Sequence, residues 1–416
     1  MKFIVHRCEK INGEIKISGS KNASLPIIIA SLLIKEKVIL KNIPFISDVI
    51  DVIRIIESLG ANVKYDCNNG ILEIISKKIN YEVSSKYVSK IRASYYLMGV
   101  LISRKKYFEI DYPGGCNFDN RPIDLHIDAF KKLNIEISEI ENKKLCFKKD
   151  KLIPCKIKLK FQSVGATINI ILACTVSVGL TIIENASIEP EVIDVINFLN
   201  LAGGCINVIN NNIIIYGVKS LHSIEYAIMS DRIEAGSYLI LAASRPNSII
   251  TLKDVNPKHL EKVIQVLTNM GNKIIENNNE LTLISAEKLI SQNIIIDVYP
   301  DFPTDLQPII CALLLHASGQ SKVIDKIYPN RISHVNELNK LNGNITSDHN
   351  EIKITQSKVS SGTVFAKDLR CGFALIITGI MSEDYVEINN AEYILRGYEN
   401  IIKKLQSLDI KIEQVL

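Results

Sequence analysis

Asp48-Val49-Ile50-Asp51-Val52-Ile53-Arg54-Ile55-Ile56-Glu57-Ser58-Leu59-Gly60 decides the fold, because the same pattern returns twice further along the chain. Apolar residues at three- and four-residue steps mark a helix with one buried face. The glycine at its end stops it in a left-handed cap. Glu191-Val192-Ile193-Asp194-Val195-Ile196-Asn197-Phe198-Leu199-Asn200, ahead of Gly203, echoes it. So does His259-Leu260-Glu261-Lys262-Val263-Ile264-Gln265-Val266-Leu267, ahead of Gly271. Alternating stretches such as Asn62-Val63-Lys64-Tyr65 and Leu281-Thr282-Leu283-Ile284 then read as half-buried strands.

Each of these helices sits inside a longer unit. A unit opens with a strand and a small polar motif, continues through an apolar helix, a second strand, a polar turn and the amphipathic helix, and closes with one or two strands. The opening motifs are Gly19-Ser20-Lys21-Asn22-Ala23-Ser24, Arg92-Ala93-Ser94, Ser163-Val164-Gly165-Ala166-Thr167, Asp231-Arg232-Ile233-Glu234-Ala235-Gly236, Asp301-Phe302-Pro303-Thr304-Asp305 and Asp368-Leu369-Arg370-Cys371-Gly372. They recur at intervals of about 65 to 75 residues, long for a solenoid repeat but right for a compact βαβαββ module. The helices that follow the motifs, such as residues 235–243 and 373–380, are apolar nearly all round and are expected to be fully buried. Helices within and strands without describe a barrel turned inside out. The expected fold is therefore α/β, a two-lobed inside-out α/β barrel, each lobe holding three βαβαββ repeats with buried helices and outer sheets. The two lobes are expected to exchange their ends, one built from residues 1–20 with 230–416 and the other from residues 21–229.

Composition bounds the partners. Of 416 residues, 47% are hydrophobic and 23% charged, enough apolar material for two cores. The net charge is +4, with bases scattered among acids. That is no nucleic-acid footprint, and small anions are the expected partners. Nine cysteines stand singly, with no CxxC pair, which argues against zinc and against a disulfide framework and fits a reducing compartment. Cys174 and Cys311 lie in apolar runs and are expected to be core residues. The first 19 residues lack a signal-peptide apolar segment, and the runs 25–34 and 309–315 are too short to span a bilayer. A cytoplasmic protein is expected, with no membrane contact and no obligate protein partner.

Several motifs carry chemical content, each with two readings. Tyr112-Pro113-Gly114-Gly115-Cys116-Asn117-Phe118-Asp119-Asn120-Arg121-Pro122-Ile123-Asp124-Leu125-His126 turns at its glycines and sets a thiol ahead of an arginine. Cys116 is either a thiol activated by positive charge or a packed free cysteine. Lys21-Asn22 opens a helix, as an anion site or as a solvated lysine beside an Asn cap. Arg92, Arg121, Arg370 and Arg396 each precede a helix at related turns and offer planar forks to phosphate or carboxylate. Asp305 is either a general base at a cleft or an ordinary helix cap shared with Thr304; for Asp231 and Asp368 the cap is favoured. Ser163-Val164-Gly165 is a weak phosphate or uridine contact, and His126 reads as structural.

Taken together, GSKNASLP, RAS, PGGC…RPIDLH, SVGAT, EN…EPEVID, DRIEAG, FPTDLQ, NR…HV…L, DLR and RGYE resemble the UDP-N-acetylglucosamine 1-carboxyvinyltransferase family, over essentially the whole length and in order. These enolpyruvyl transferases open peptidoglycan precursor synthesis, and so serve cell-wall biogenesis, cell shape and division. The resemblance implies two lobes of three βαβαββ units closing over a deep cleft. It also implies transfer of the enolpyruvyl group of phosphoenolpyruvate to the 3′-hydroxyl of UDP-N-acetylglucosamine with release of phosphate, without metal or organic cofactor. Carried over residue by residue, it makes Cys116 the general acid toward the methylene carbon, able to form a covalent pyruvate adduct and to react with fosfomycin. Asp305 becomes the base for the sugar hydroxyl. Lys21, Arg121 and Arg396 would hold phosphoenolpyruvate, with Arg370 nearby. Asn22, Arg92, Arg121, Pro122, Ile123, Asp124, Leu125, Ser163, Val164, Gly165, Asp305 and Ile327 would contact the UDP-sugar, and the Pro-Gly-Gly loop would close on substrate.

The chain departs from the family pattern in four places. Phe118-Asp119-Asn120 stand where a glycine is usual, and Tyr393-Ile394-Leu395 where a histidine precedes RGYE. Tyr328-Pro329-Asn330-Arg331-Ile332 replaces a FENRF-like turn, and the lysine expected next to SVGAT falls one position early, at Lys160. Two rivals remain. A shikimate-pathway enolpyruvyl transferase shares the fold but needs no cysteine on that loop. A catalytically silent scaffold would keep the fold for partner binding.

Overall fold

The computed structural model describes residues 1–80, 85–88, 90–114, 123–140 and 144–415. The chain divides into two compact units, Met1–Ser18 with Ser230–Leu416, and Gly19–Met229.

In the Gly19–Met229 unit the helices that follow the polar motifs are Lys21–Ala30, Tyr96–Arg104 and Val164–Cys174, and nearly all their side chains are buried. Leucine, isoleucine and alanine on every side leave such a helix no face for water, so it must lie inside. Two of them approach closely because Gly99 has no side chain. A Cβ there would stand 2.5 Å from the carbonyl oxygen of Asn169. The helices Ser47–Ser58 and Asp124–Lys132 instead bury one face and leave polar residues outside, while Pro190–Leu201 also buries Glu191 and Asp194 and exposes Asn197 and Leu201.

Around them lie three sheets. Strand Lys37–Lys41 runs parallel to Ile224–Ala227 and antiparallel to Ile71–Ile75, which pairs with Asn62–Asp66. Gly179–Glu184 runs parallel to Lys156–Lys158 and antiparallel to Asn212–Gly217, which pairs with Ile206–Ile209. Among the described residues the third sheet holds Tyr107–Asp111, Lys144–Lys148 and Glu136–Ile140, all antiparallel.

The other unit repeats this plan with the inner helices Arg232–Ala243, Gln307–Leu314 and Leu369–Met381, in which every residue is buried. Its sheets each have a parallel edge: Asn12–Lys16 beside Ile249–Lys253, Asn293–Ile296 beside Gln320–Asp325, and Gly362–Phe365 beside Tyr385–Asn389. Strand Lys2–His6 lies between Tyr385–Asn389 and Ile412–Val415, antiparallel to both. Phe373 and Leu375 are wholly enclosed, and burying each such side chain stabilises the unit by about 2 kcal/mol.

Gly60, Gly203 and Gly271 adopt φ of +95°, +97° and +104°, the left-handed stop their positions predict. One boundary shifts. The helix expected from His259 begins at Glu261, because Pro257–His259 first forms a 3-10 turn capped by the Asn256 side chain. Cys174 and Cys311 are enclosed as expected. Burial pushes the Cys174 thiol up to about 12 and raises that of Cys311 as well, so neither is a nucleophile at neutral pH. Among the described residues no helix is long and apolar enough to cross a membrane.

Candidate active site

The six polar motifs all fall at the entrances of the inner helices, and the two units furnish those entrances differently. In the Gly19–Met229 unit, Lys21 is the first residue of its helix. Ser20 is the cap, accepting from the Ala23 amide at 3.3 Å. The Asn cap considered for Asn22 is thus not realised. Lys21 Nζ lies 3.1 Å from a carboxylate oxygen of Asp48, itself buried in the first turn of the helix Ser47–Ser58. The lysine is thereby aimed by a fixed anion and is not a loosely solvated side chain. Ser163 caps the third inner helix in the same way, accepting from the Ala166 amide at 3.3 Å.

Arg92 opens a 3-10 turn, Arg92–Tyr95, that leads straight into the second inner helix. Its guanidinium lies 5.7 Å from the Tyr95 ring centroid, and Tyr95 meets the His126 ring edge-on at 5.0 Å. Both rings close on Gly165, where an added Cβ would stand 2.9 Å from the Tyr95 hydroxyl and 3.1 Å from the His126 ring. The residues picked separately as Arg92, Ile123–Asp124–Leu125 and Ser163–Val164–Gly165 are therefore brought together around Tyr95 and His126. Ile123 and Leu125 are buried and Asp124 is exposed at the start of the helix Asp124–Lys132.

His126 is structural, as its sequence context suggests. Asn169 offers its amide to the imidazole Nδ1 at 2.9 Å while its carbonyl accepts from the Gly99 amide at 2.9 Å, so Nδ1 is the acceptor. Burial, with a smaller contribution from Arg92, lowers its pKa to about 3 and keeps the ring neutral. Cys116, Arg121 and Pro122 lie outside the described residues.

In the other unit, Asp231 and Asp368 are caps, as favoured from the sequence. Asp231 accepts from the amides of Ile233 and Glu234 at 2.8 and 2.9 Å, and Asp368 from those of Arg370 and Cys371 at 2.8 and 3.0 Å. Asp305 is different. It sits inside the 3-10 turn Thr304–Leu306, whose cap position is taken by Pro303, and neither Asp305 nor Thr304 caps that turn or the helix Gln307–Leu314. Its two carboxylate oxygens are instead gripped by two guanidinium groups, Arg331 at 3.0 Å and Arg370 at 2.9 Å. Both arginines are buried, while the Asp305 side chain keeps about a quarter of its surface open, at 27%. A carboxylate a quarter open and backed by buried cations is oriented but reachable.

Arg370 also donates to the Tyr398 hydroxyl at 3.1 Å, which meets the Ser237 hydroxyl at 2.8 Å. Burial alone would depress its pKa, but the neighbouring Asp305 more than reverses this, and the guanidinium stays charged. Arg396 ends the 3-10 turn Ala391–Arg396 two residues before Tyr398. Ile327 lies on a turn whose amides, with that of Tyr328, bind Asp325 at 2.8 and 2.9 Å. The three described arginines of the four do not all occupy equivalent turns. Arg92 and Arg370 begin inner helices, Arg396 precedes the outer helix Ile401–Gln406, and Arg121 is not described.

Sequence reasoning assigned no role to Arg331, Tyr398 or Tyr95. Arg331 stands in the Tyr328–Ile332 turn, in the NR…HV…L motif that helps carry the family resemblance, and that motif and its charge are the signals that point to it. Among the described residues no group of three or more His, Cys, Asp or Glu is arranged to hold a metal ion.

Comparison with known proteins places this geometry. Residues 5–405 match the family model described as EPSP synthase (3-phosphoshikimate 1-carboxyvinyltransferase). A curated relative from Halothermothrix orenii, named UDP-N-acetylglucosamine 1-carboxyvinyltransferase, is 39% identical over 416 residues, covering 100% of this chain and 99% of its own. One from Listeria monocytogenes serovar 1/2a, named UDP-N-acetylglucosamine 1-carboxyvinyltransferase 2, is 38% identical over 413 residues, covering 99% and 97%. Among solved structures, the enolpyruvyl transferase NikO from Streptomyces tendae superposes with a TM-score of 0.90 at 19% identity, over 99% of this chain and 98% of that one. EPSP synthase from Acinetobacter baumannii gives 0.78 at 16% identity, over the whole of both chains. The inside-out α/β architecture expected from the repeats is borne out by these likenesses.

Proposed function

The chain belongs to the EPSP synthase (3-phosphoshikimate 1-carboxyvinyltransferase) family of enolpyruvyl transferases, and from that membership we propose the reaction it runs and the residues that run it. It is a transferase that moves the enolpyruvyl group of phosphoenolpyruvate to the 3′-hydroxyl of UDP-N-acetylglucosamine and releases phosphate, at the entry to peptidoglycan precursor synthesis. The observation that carries the choice of acceptor is the 38–39% identity, over nearly the full length of both chains, to relatives that bear this name. A cysteine at 116, ahead of Arg121, also favours this reading over the shikimate acceptor.

In the proposed reaction the Cys116 thiol gives its proton to the methylene carbon of phosphoenolpyruvate, and the sugar oxygen attacks the neighbouring carbon as Asp305 takes the hydroxyl proton. The tetrahedral ketal then loses phosphate and a methyl proton, which restores the double bond. A thiol suits the first position because it is acidic enough to protonate carbon and nucleophilic enough to form a pyruvate adduct or to open the epoxide of fosfomycin. Fixed cations at Lys21, Arg121, Arg370 and Arg396 would stabilise the anionic groups of phosphoenolpyruvate and of the ketal better than mobile water could. Arg92, Asn22, residues 121–125, Ser163, Val164, Gly165 and Ile327 are the proposed contacts to the UDP-sugar. The pairing of Asp305 with Arg331 and Arg370, in place of capping, supports its part as base. A cytoplasmic location fits the eight described cysteines, all free thiols.

The test is phosphate release from phosphoenolpyruvate with each acceptor in turn. Turnover with UDP-N-acetylglucosamine and none with shikimate 3-phosphate is the expected result. The reverse would assign the chain to the shikimate reaction, and release with neither would make it a silent scaffold.

A further inference from the structure

Arg331 grips the turn Thr304–Leu306 at two consecutive residues. One arm of its guanidinium donates to the carbonyl oxygen of Thr304 at 2.7 Å and to the Thr304 hydroxyl at 3.1 Å, while the other donates to Asp305 at 3.0 Å. The fork thus spans two consecutive residues of the turn, and rotating away would break three hydrogen bonds at once. Its own turn is fastened to the same place. Thr304 donates its hydroxyl to Asp325 at 2.7 Å, Asp325 holds the amides of Ile327 and Tyr328, and Gln307 donates to the Arg331 carbonyl at 3.1 Å. Arg370 has no such double hold on the turn. Its second arm goes to Tyr398 instead.

We propose that Arg331 is a positioning residue for the transfer reaction: it fixes the rotamer and the ionised state of Asp305, and so leaves Arg370 to be shared with the anionic substrate. This rests on the reading of Asp305 as the base. A carboxylate flanked by two cations is a weak base while both are in place. If an incoming phosphate or carboxylate draws Arg370 toward itself, Asp305 loses one of the cations that hold it and becomes a better proton acceptor only when substrate is present. Arg331 keeps it from swinging during that exchange, and the Thr304–Asp325 clamp keeps Arg331 in place. The other groups facing this cluster are Asp231 and Tyr398 beside Arg370, Asp325 and His334 beside Arg331, and Asp368 beside His334. Asp231 and Asp368 already serve as caps, Asp325 holds the amides of Ile327 and Tyr328, and burial lowers His334 to about 4 and keeps it neutral, while Arg331 and Arg370 lie 3.0 and 2.9 Å from Asp305.

The experiment measures kcat and KM against pH for wild type and four full-length variants, with circular dichroism to confirm folding. Arg331→Gln is expected to lower kcat about 10- to 100-fold and to move the acid limb of the kcat profile up by about one pH unit, since a charge beside the carboxylate is gone. Arg331→Lys, which keeps the charge but loses the fork, is expected to lower kcat several-fold with the limb in place. Thr304→Val, which loosens the clamp without touching charge, is expected to behave like the lysine variant. A limb unmoved in folded Arg331→Gln, or wild-type kcat in Arg331→Lys, would overturn the proposal, and the lysine variant decides the matter if the glutamine variant does not fold. Asp305→Asn separates the two readings. Retained turnover there rejects Asp305 as the base, whereas lost turnover beside an unmoved limb in Arg331→Gln rejects only the role of Arg331.

Discussion

The two units open their inner helices in opposite ways. In the Gly19–Met229 unit the entrances carry Ser20, Arg92 and Ser163, with no acidic residue in the first turn of any of the three helices. In the other unit the corresponding entrances carry Asp231, Asp305 and Asp368. A helix N-terminus bears a partial positive charge and free amides. Capped by a serine hydroxyl, it keeps that charge, and Lys21 and Arg92 add to it. Capped by an aspartate, it is neutralised from within. The difference teaches that, in the four entrances closed by a side-chain cap, one repeat leaves the helix end its charge with a serine cap and neutralises it with an aspartate cap. Asp305 is the exception inside the acidic set, since it is not a cap and its carboxylate is held by Arg331 and Arg370.

The sharpest way to break this comparison is Asp305→Asn. If Asp305 is the base and its two neighbours are merely caps, turnover should fall by about 10²- to 10⁴-fold while calorimetric binding of UDP-N-acetylglucosamine persists. A loss of binding in step with turnover would instead make Asp305 a recognition residue. Lys21→Met probes the opposite unit. Removing a charge-assisted contact at a helix start should raise KM for phosphoenolpyruvate about 10- to 100-fold with KM for the UDP-sugar near its original value. An unchanged KM for phosphoenolpyruvate would leave Lys21 as no more than the partner of Asp48. The smallest effect is expected at Asp368. Asp368→Ala should destabilise its unit by about 1 kcal/mol, read as a lower urea midpoint, and Asp368→Asn should recover most of it, because an amide oxygen also caps. A destabilisation equal in both variants would mean that charge, not capping, is what Asp368 supplies.

Much of this was legible in the sequence because it is local. The amphipathic helices with glycine stops, the all-apolar inner helices and the caps at Asp231 and Asp368 depend on residues within one turn of each other. The role of Asp305 was not settled there, and the reason is a shift of two positions. Asp231 and Asp368 stand in extended backbone just ahead of their helices, where a side chain reaches back to the first amides. At Asp305 that place is held by Pro303, which has no acceptor to offer, and the aspartate has moved into the turn itself. Arg331 was missed because its contacts run between a turn and a helix entrance 26 residues apart, with no periodicity to link them. Tyr95 and His126 were likewise invisible as a pair until Gly165 showed why nothing larger fits between them.

The strand pairings also constrain the order in which the molecule is made. Among the described residues, every strand between 19 and 229 finds its partners inside that span. Strands Lys2–His6 and Asn12–Lys16, by contrast, pair only with segments beyond residue 248. As the chain leaves the ribosome, the central span can close on itself while the two leading strands wait with their edges unsatisfied. Those strands are then exposed edges that a chaperone could cover, and an insertion within the central span would prolong the wait.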